Sequence, residues 1–196
     1  CDEAIWNSAT PFPFTGEKTS NNDIDCRLLW RDRPAPDPDL LYGCCHVDDT
    51  NLNGSASGHD VDGIYDDDSI EVIVDRNSDD EADSQTVKVF FGANDATWDG
   101  VFSNGVQSFD ETHTAGIDRS IDYDSDFDGD SDDDYWLVEW VFELPFDVQP
   151  GQIGKCQLAL NDDDGRGRTV WIASGDLGEI NDPSAWGHCQ FTPATN

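Results

Sequence analysis

The chain has 196 residues, with 43 acidic and 10 basic side chains and a formal net charge of −33. That length supports one domain over residues 1–196 with a real core. A field so negative excludes nucleic acid as a direct partner and disfavours anionic membranes. No apolar run approaches the ~20 residues of a membrane span, and 7 Trp, 10 Phe and 4 Tyr are too many for a disordered acidic chain.

Helix signals are nearly absent, and strand signals recur between clusters of Gly, Asp, Asn and Pro. Weak strands are expected at 26–31 and 117–123. Residues 40–47 form an apolar strand. In 69–75, Ile70, Val72 and Val74 share one face, and in 86–92 Val87, Val89 and Phe91 do so. The clearest strand, 135–144, puts Trp136, Val138, Trp140, Phe142 and Leu144 on one face and Glu139 and Glu143 on the other. Strands 153–161, 168–172 and 188–192 follow. This pattern predicts an all-β fold: one antiparallel β-sandwich, jelly-roll-like, with long acidic loops. The alternation suits sheets that face water on one side.

Six cysteines, Cys1, Cys26, Cys44, Cys45, Cys156 and Cys189, form an even set in a chain without Met. The expectation is three disulfides of open connectivity in an exported, extracellular protein. A chain opening on Cys1 rather than Met suggests a removed signal segment. Zinc is the rival reading, but no CxxC pair exists, and adjacent Cys44 and Cys45 suit one tetrahedral ion poorly.

The acid excess is 35 Asp against 8 Glu. A solvating coat on helices would use Glu freely, whereas Asp favours loops, where it bonds backbone or holds an ion. Ca2+ is therefore the expected cofactor. The densest stretch is 122–134, DYDSDFDGDSDDD, with eight carboxylates. Asp124, Asp126 and Asp128, then Gly129, Asp130 and Asp132, follow the opening spacing of a calcium loop. Tyr135 stands where an EF-hand carries Glu, and the flanks are strands, so an EF-hand proper is excluded. Asp60 and Asp62 in HDVDGIYDDDS form a second candidate, and Asn161–Gly165 (NDDDG) a third. Each of these could instead only shape a turn.

Taken together, LLYGCCHVDD (40–49), DGIYDDDSIEVIVD (62–75), YWLVEWVFELPF (135–146), PGQIGKCQLALNDDDG (150–165), Trp171 and PSAWG (183–187) resemble family 9 carbohydrate-binding modules. The likeness extends to relatives in the DOMON-like sandwich superfamily. Order and spacing carry it, from about Trp6 to the C-terminus, while 76–134 and the cysteines depart from the pattern. The resemblance implies a calcium-binding β-sandwich that holds a sugar chain between Trp rings, as an accessory to secreted polysaccharide-degrading enzymes.

Sugars stack their C–H faces on aromatic rings and bond polar groups beside them. Trp171, between core-facing Val170 and Ile172, is the first candidate, Trp98 in the polar stretch 94–100 the second, and Trp186 the third. Trp186 could instead close the end of the sandwich. Arg168, with Arg166, offers rare positive charge, for sugar hydroxyls or for Asp162–Asp164 nearby. An enzyme is not expected. Glu139 and Glu143 lie ~13 Å apart along a strand, beyond the ~5–9.5 Å of a glycosidase pair. His46, His59, His113 and His188 lack metallohydrolase spacing, and GxSxG is absent. The leading reading is a non-catalytic, calcium-stabilised, extracellular module that binds a polysaccharide or oligosaccharide. It could self-associate or be attached to a larger extracellular protein. The rival is a calcium-rigidified adhesin, surface-layer or filament subunit with no sugar cleft.

Overall fold

The computed structural model describes residues 5–9, 11–12, 23–49, 52, 54, 58–59, 63–103, 106–109, 118–124, 135–163, 170–173 and 182–192. Eleven strands run in chain order among them. They are β1 (Asp23–Arg31), β2 (Leu40–Asp48), β3 (Ser69–Asp75), β4 (Thr86–Gly92), β5 (Thr97–Ser103), β6 (Val106–Phe109), β7 (Asp118–Asp124), β8 (Tyr135–Glu143), β9 (Ile153–Asp162), β10 (Val170–Ala173) and β11 (Gly187–Gln190). The helical pieces among the described residues are single 3₁₀ turns at Trp6–Ser8, Ile64–Asp66 and Pro183–Ala185. A four-stranded sheet has the order β1-β2-β8-β7. A seven-stranded sheet has the order β10-β9-β3-β4-β5-β6, with β11 pairing the free part of β9. Every named pairing is antiparallel, so the expected sandwich is the observed one.

The two-residue period decides what lies between the sheets. Val47, Trp136, Val138 and Phe142 of the smaller sheet meet Ile70, Val72, Phe91 and Leu158 of the larger one in one apolar core. Trp140 reaches furthest across. Its ring stacks on Phe91 at 4.8 Å between centroids. That reach needs an empty place beside it in its own sheet, and Gly43 is its register partner on β2. A methyl built on Gly43 would lie 2.0 Å from the Trp140 ring.

The same period separates adjacent Cys44 and Cys45. Cys45 faces the core and bonds Cys26, its direct partner across β1 and β2. Cys44 faces outward with Trp6 and Ala9 and is disulfide-bonded as well. Cys156 joins Cys189, tying β11 to β9. No described cysteine is free, as an oxidised protein requires. Cys1 lies outside the described residues.

Two features differ from the expectation. Residues 94–100 were expected as a polar loop and no strand was expected at 106–109, yet Thr97–Ser103 form β5, with Trp98 and Val101 paired to Phe90 and Val87 of β4, and β6 pairs on in turn, with Phe102 opposite Gln107. The second difference is that β3 and β4 are buried at all seven positions each rather than on alternate ones. The outer face of the larger sheet is therefore covered too.

Gly43→Ala should cost about 1–3 kcal/mol, because the Trp140 ring cannot move without leaving Phe91. Denaturant unfolding checks this. An unchanged midpoint would mean that the ring has room to turn.

Candidate functional site

On the covered outer face of the larger sheet, polar groups sit where a one-sided sheet would meet water. Glu71 of β3 and Lys88 of β4 are 2% and 5% exposed. The Lys88 Nζ lies 2.6 Å from Glu71 Oε1 and 5.0 Å from the centroid of the Phe90 ring. Gln157 of β9 is fully buried beside them, separated from Lys88 by Ile73, which pairs with both. Neither its amide oxygen nor its nitrogen has a hydrogen-bond partner among the described residues. A buried ion pair is costly without further hydrogen bonds, and a buried amide without partners costs about 1–3 kcal/mol.

Aromatic rings frame this polar strip. Trp98 is opposite Phe90 in register and meets it edge-on at 5.6 Å. Its ring is buried with Ile64 and Ala96. Trp186 follows the 3₁₀ turn Pro183–Ala185, and the register of β11 on β9, continued by one residue, sets it opposite Gln157. Its ring is buried on Ile73 and Ala159, with Phe102 of β5 at 6.5 Å. Trp98 and Trp186 thus flank one polar strip, with both rings packed down. Trp171 stands in β10 opposite Asn161, whose amide donates to Ser69 Oγ at 3.1 Å. Arg168 lies outside the described residues.

Neither Glu71, Lys88 nor Gln157 was singled out as a sugar ligand from the sequence. A signal for them existed: a charged or amide residue at the outward position of three strands otherwise built of Val, Ile, Phe and Leu.

A second constellation lies at the end of these strands. Asp49 follows β2, Asp68 precedes β3, and Asp162 closes β9. All three are buried, and one carboxylate oxygen from each lies within 4.8 Å of the others. Asp68 Oδ1 also accepts the Asp163 backbone N–H at 2.7 Å. Three carboxylates this close and out of water repel strongly unless a cation joins them. Hard carboxylate oxygens are the donor type Ca2+ takes, and these three would be part of a set of about six to eight. Asp68 and Asp162 belong to the sequence clusters DDDS and NDDDG. Asp49 joins them only because β2 of the other sheet ends here. Of the other predicted ligands, Asp124 closes β7 opposite Tyr135. Asp126, Asp128, Asp130, Asp132, Asp60 and Asp62 lie outside the described residues.

Asp75, at the other end of β3, is 1% exposed. Burial pushes its carboxyl up to about 7 against the opposing hydrogen bond from Thr86 Oγ1, and Asp79 and Asp83 add repulsion. The folded chain therefore keeps this proton between the unfolded value of 3.8 and about 7, and stability falls as pH rises through that window. Asp75→Asn should accordingly melt above the wild type at about pH 8 and lose that advantage by about pH 4. A melting difference independent of pH would show that Asp75 ionises freely in the fold.

Comparison with known proteins bears on the family and the fold. Residues 2–193 match the family described as carbohydrate family 9 binding domain-like. The chain matches no curated protein. Among solved structures, a family 9 carbohydrate-binding module from Caldicellulosiruptor kristjanssonii in complex with cellotriose superposes with a TM-score of 0.72 at 19% identity, over 99% of this chain and 88% of that one. Its complex with glucose gives 0.70 at 20% identity, over 99% and 90%. A further solved protein, from Bacteroides uniformis, gives 0.67 at 12% identity, over 94% and 87%.

Proposed function

The chain belongs to the carbohydrate family 9 binding domain-like family, and from that premise we propose that it binds a glucose-type oligosaccharide or polysaccharide on the outer face of its larger sheet. Modules of this kind do no chemistry on their ligand, and the chain is non-catalytic. The observation that carries the reading is Gln157, whose buried amide has no partner on either atom among the described residues. A sugar hydroxyl both donates and accepts, so a diol edge can serve the amide oxygen and nitrogen together. The Lys88 ammonium and Glu71 carboxylate beside it offer one donor and one acceptor of the same kind. Trp98 and Trp186 border these groups with their rings packed down, as rigid apolar walls to the strip rather than open faces. Glucose and cellotriose are the natural probes, since similar modules are known in complex with them.

Ca2+ is proposed as a structural cofactor, held by Asp49, Asp68 and Asp162. The loop Asp124–Asp132 and the pair Asp60 and Asp62 remain proposals for the same ion. An extracellular setting fits the oxidised cysteines.

Gln157→Ala separates a ligand-binding amide from a structural one. It removes a buried polar group that has no partner among the described residues, so the melting temperature should hold or rise. Loss of its hydrogen bonds to sugar should weaken cellotriose binding about tenfold by calorimetry. A large drop in stability, or unchanged affinity, would refute the assignment. For the cation, Asp162→Asn should change sign with calcium. In chelator it relieves repulsion and raises the melting temperature, and in millimolar Ca2+ it removes a ligand and lowers it. The same sign in both buffers would rule the cluster out as a calcium site.

A further inference from the structure

Lys155 of β9 is 1% exposed, yet its ammonium makes no use of the sugar face. It reaches two surface segments instead. One bond goes to the Asp80 carboxylate in the connection 76–85 between β3 and β4. The other goes to the Pro183 carbonyl at 2.6 Å, in the 3₁₀ turn before Trp186. That carbonyl also accepts the Trp186 backbone N–H at 3.3 Å. Two hydrogen bonds that meet at one carbonyl oxygen thus link the Lys155 ammonium to the backbone that carries the ring.

Both tethered segments are firm and both touch Trp186. In the first, Asp79 accepts the Glu81 N–H at 3.1 Å and the Asn77 amide at 2.9 Å, and this turn presents Asp80 with φ +65°. Ala82 of the same segment packs in the Trp186 cluster. In the second, Asp182 caps the turn by accepting the Ser184 N–H at 3.0 Å and its hydroxyl at 2.7 Å. Those two bonds, and then the Lys155 charge, hold the Asp182 carboxyl below its usual range. Lys155 lies two residues from Gln157 on the same face of β9, ~7 Å along the strand.

We propose that Lys155, by clamping Asp80 and the Pro183 carbonyl together, is the positioning residue that fixes Trp186 beside Gln157 and so sets sugar affinity. The inference rests on the sugar reading above and deepens it. A ring held in its bound place before the ligand arrives loses less freedom on binding. The clamp has one buried and one exposed end, since the Asp80 side chain is 61% exposed, so salt should loosen it.

The test uses full-length protein labelled with 5-fluorotryptophan, with the Trp186 resonance assigned through Trp186→Phe. Asp80→Asn cuts only the exposed ion pair and spares the fold. Lys155→Met removes the ammonium and keeps the stem. We expect cellotriose affinity to fall about threefold in Asp80→Asn and about tenfold in Lys155→Met. Asp80→Glu should restore most of the loss. The Trp186 fluorine line should shift or broaden in both weakened variants, while those of Trp136 and Trp140 stay put. Wild-type affinity should decline with added salt, and that of Asp80→Asn should not. Unchanged or tighter binding with an unmoved Trp186 line would overturn the proposal. If the wild type binds neither glucose nor cellotriose, the sugar reading fails. The Trp186 line then still decides the clamp: a shift in Asp80→Asn upholds its positioning of the ring, and no shift overturns it.

Discussion

The constraint on which the molecule turns is that β3 is buried on both of its faces. A strand in a two-layer sandwich normally pays for one face with apolar packing and leaves the other to water. Here Ile70, Val72 and Val74 face the core, and Glu71, Ile73 and Asp75 face a second, covered layer. Polar groups in such a layer must find partners inside it. Glu71 does so through Lys88, and Asp75 keeps its proton up to about 7 and takes a hydrogen bond from Thr86. Gln157, on the neighbouring strand, does not among the described residues. An amide left without a partner among the described residues is the feature on which the proposed sugar site rests.

The net charge of −33 takes a different meaning once Asp49, Asp68 and Asp162 are seen together. Bulk acidity on a surface is only a field. Three buried carboxylates at one point are a local demand for positive charge, and they come from both sheets. A cation there would hold the end of β2 against the ends of β3 and β9, so its contribution would be to the docking of the sheets rather than to either sheet alone. A carboxylate in water is screened by solvent and ions and makes no such local demand.

Much of the fold was legible because a buried sheet writes its period into the sequence. The alternation in 135–144 gave β8 its inward face of Trp136, Val138, Trp140 and Phe142, and its outward Glu139 and Glu143, which now bond Trp6 and Arg33. The adjacent cysteines also followed from alternation, once β2 was a strand. The candidate site was less legible, for two reasons. Period two separates faces but does not say which outer face is covered, so Glu71, Lys88 and Gln157 read as ordinary solvent positions. And a site drawn from three strands places Gln157 near Lys88 only after register is known, 69 positions apart in the chain. The tryptophans were chosen by polar surroundings in sequence, and that rule does not see packing: Asp95 and Asp99 flank Trp98 along the chain, while Phe90 and Ile64 surround it in space.

These two strands also explain why three roles can share so small an area. Along β3 and the residue before it lie Asp68, Glu71 and Asp75, and along β9 lie Asp162, Gln157 and Lys155. Register pairs the two strands from Ser69 with Asn161 to Asp75 with Lys155. The proposed cation therefore sits at one end, the proposed sugar groups in the middle, and the clamp at the other. Each lies within ~10–20 Å of the next along a rigid, fully paired ladder. A sandwich whose central strands are pinned at both ends can hold a strip of polar groups between them in fixed spacing. That fixed spacing is what a ligand of rigid rings and oriented hydroxyls requires, and flexible loops would supply it less well.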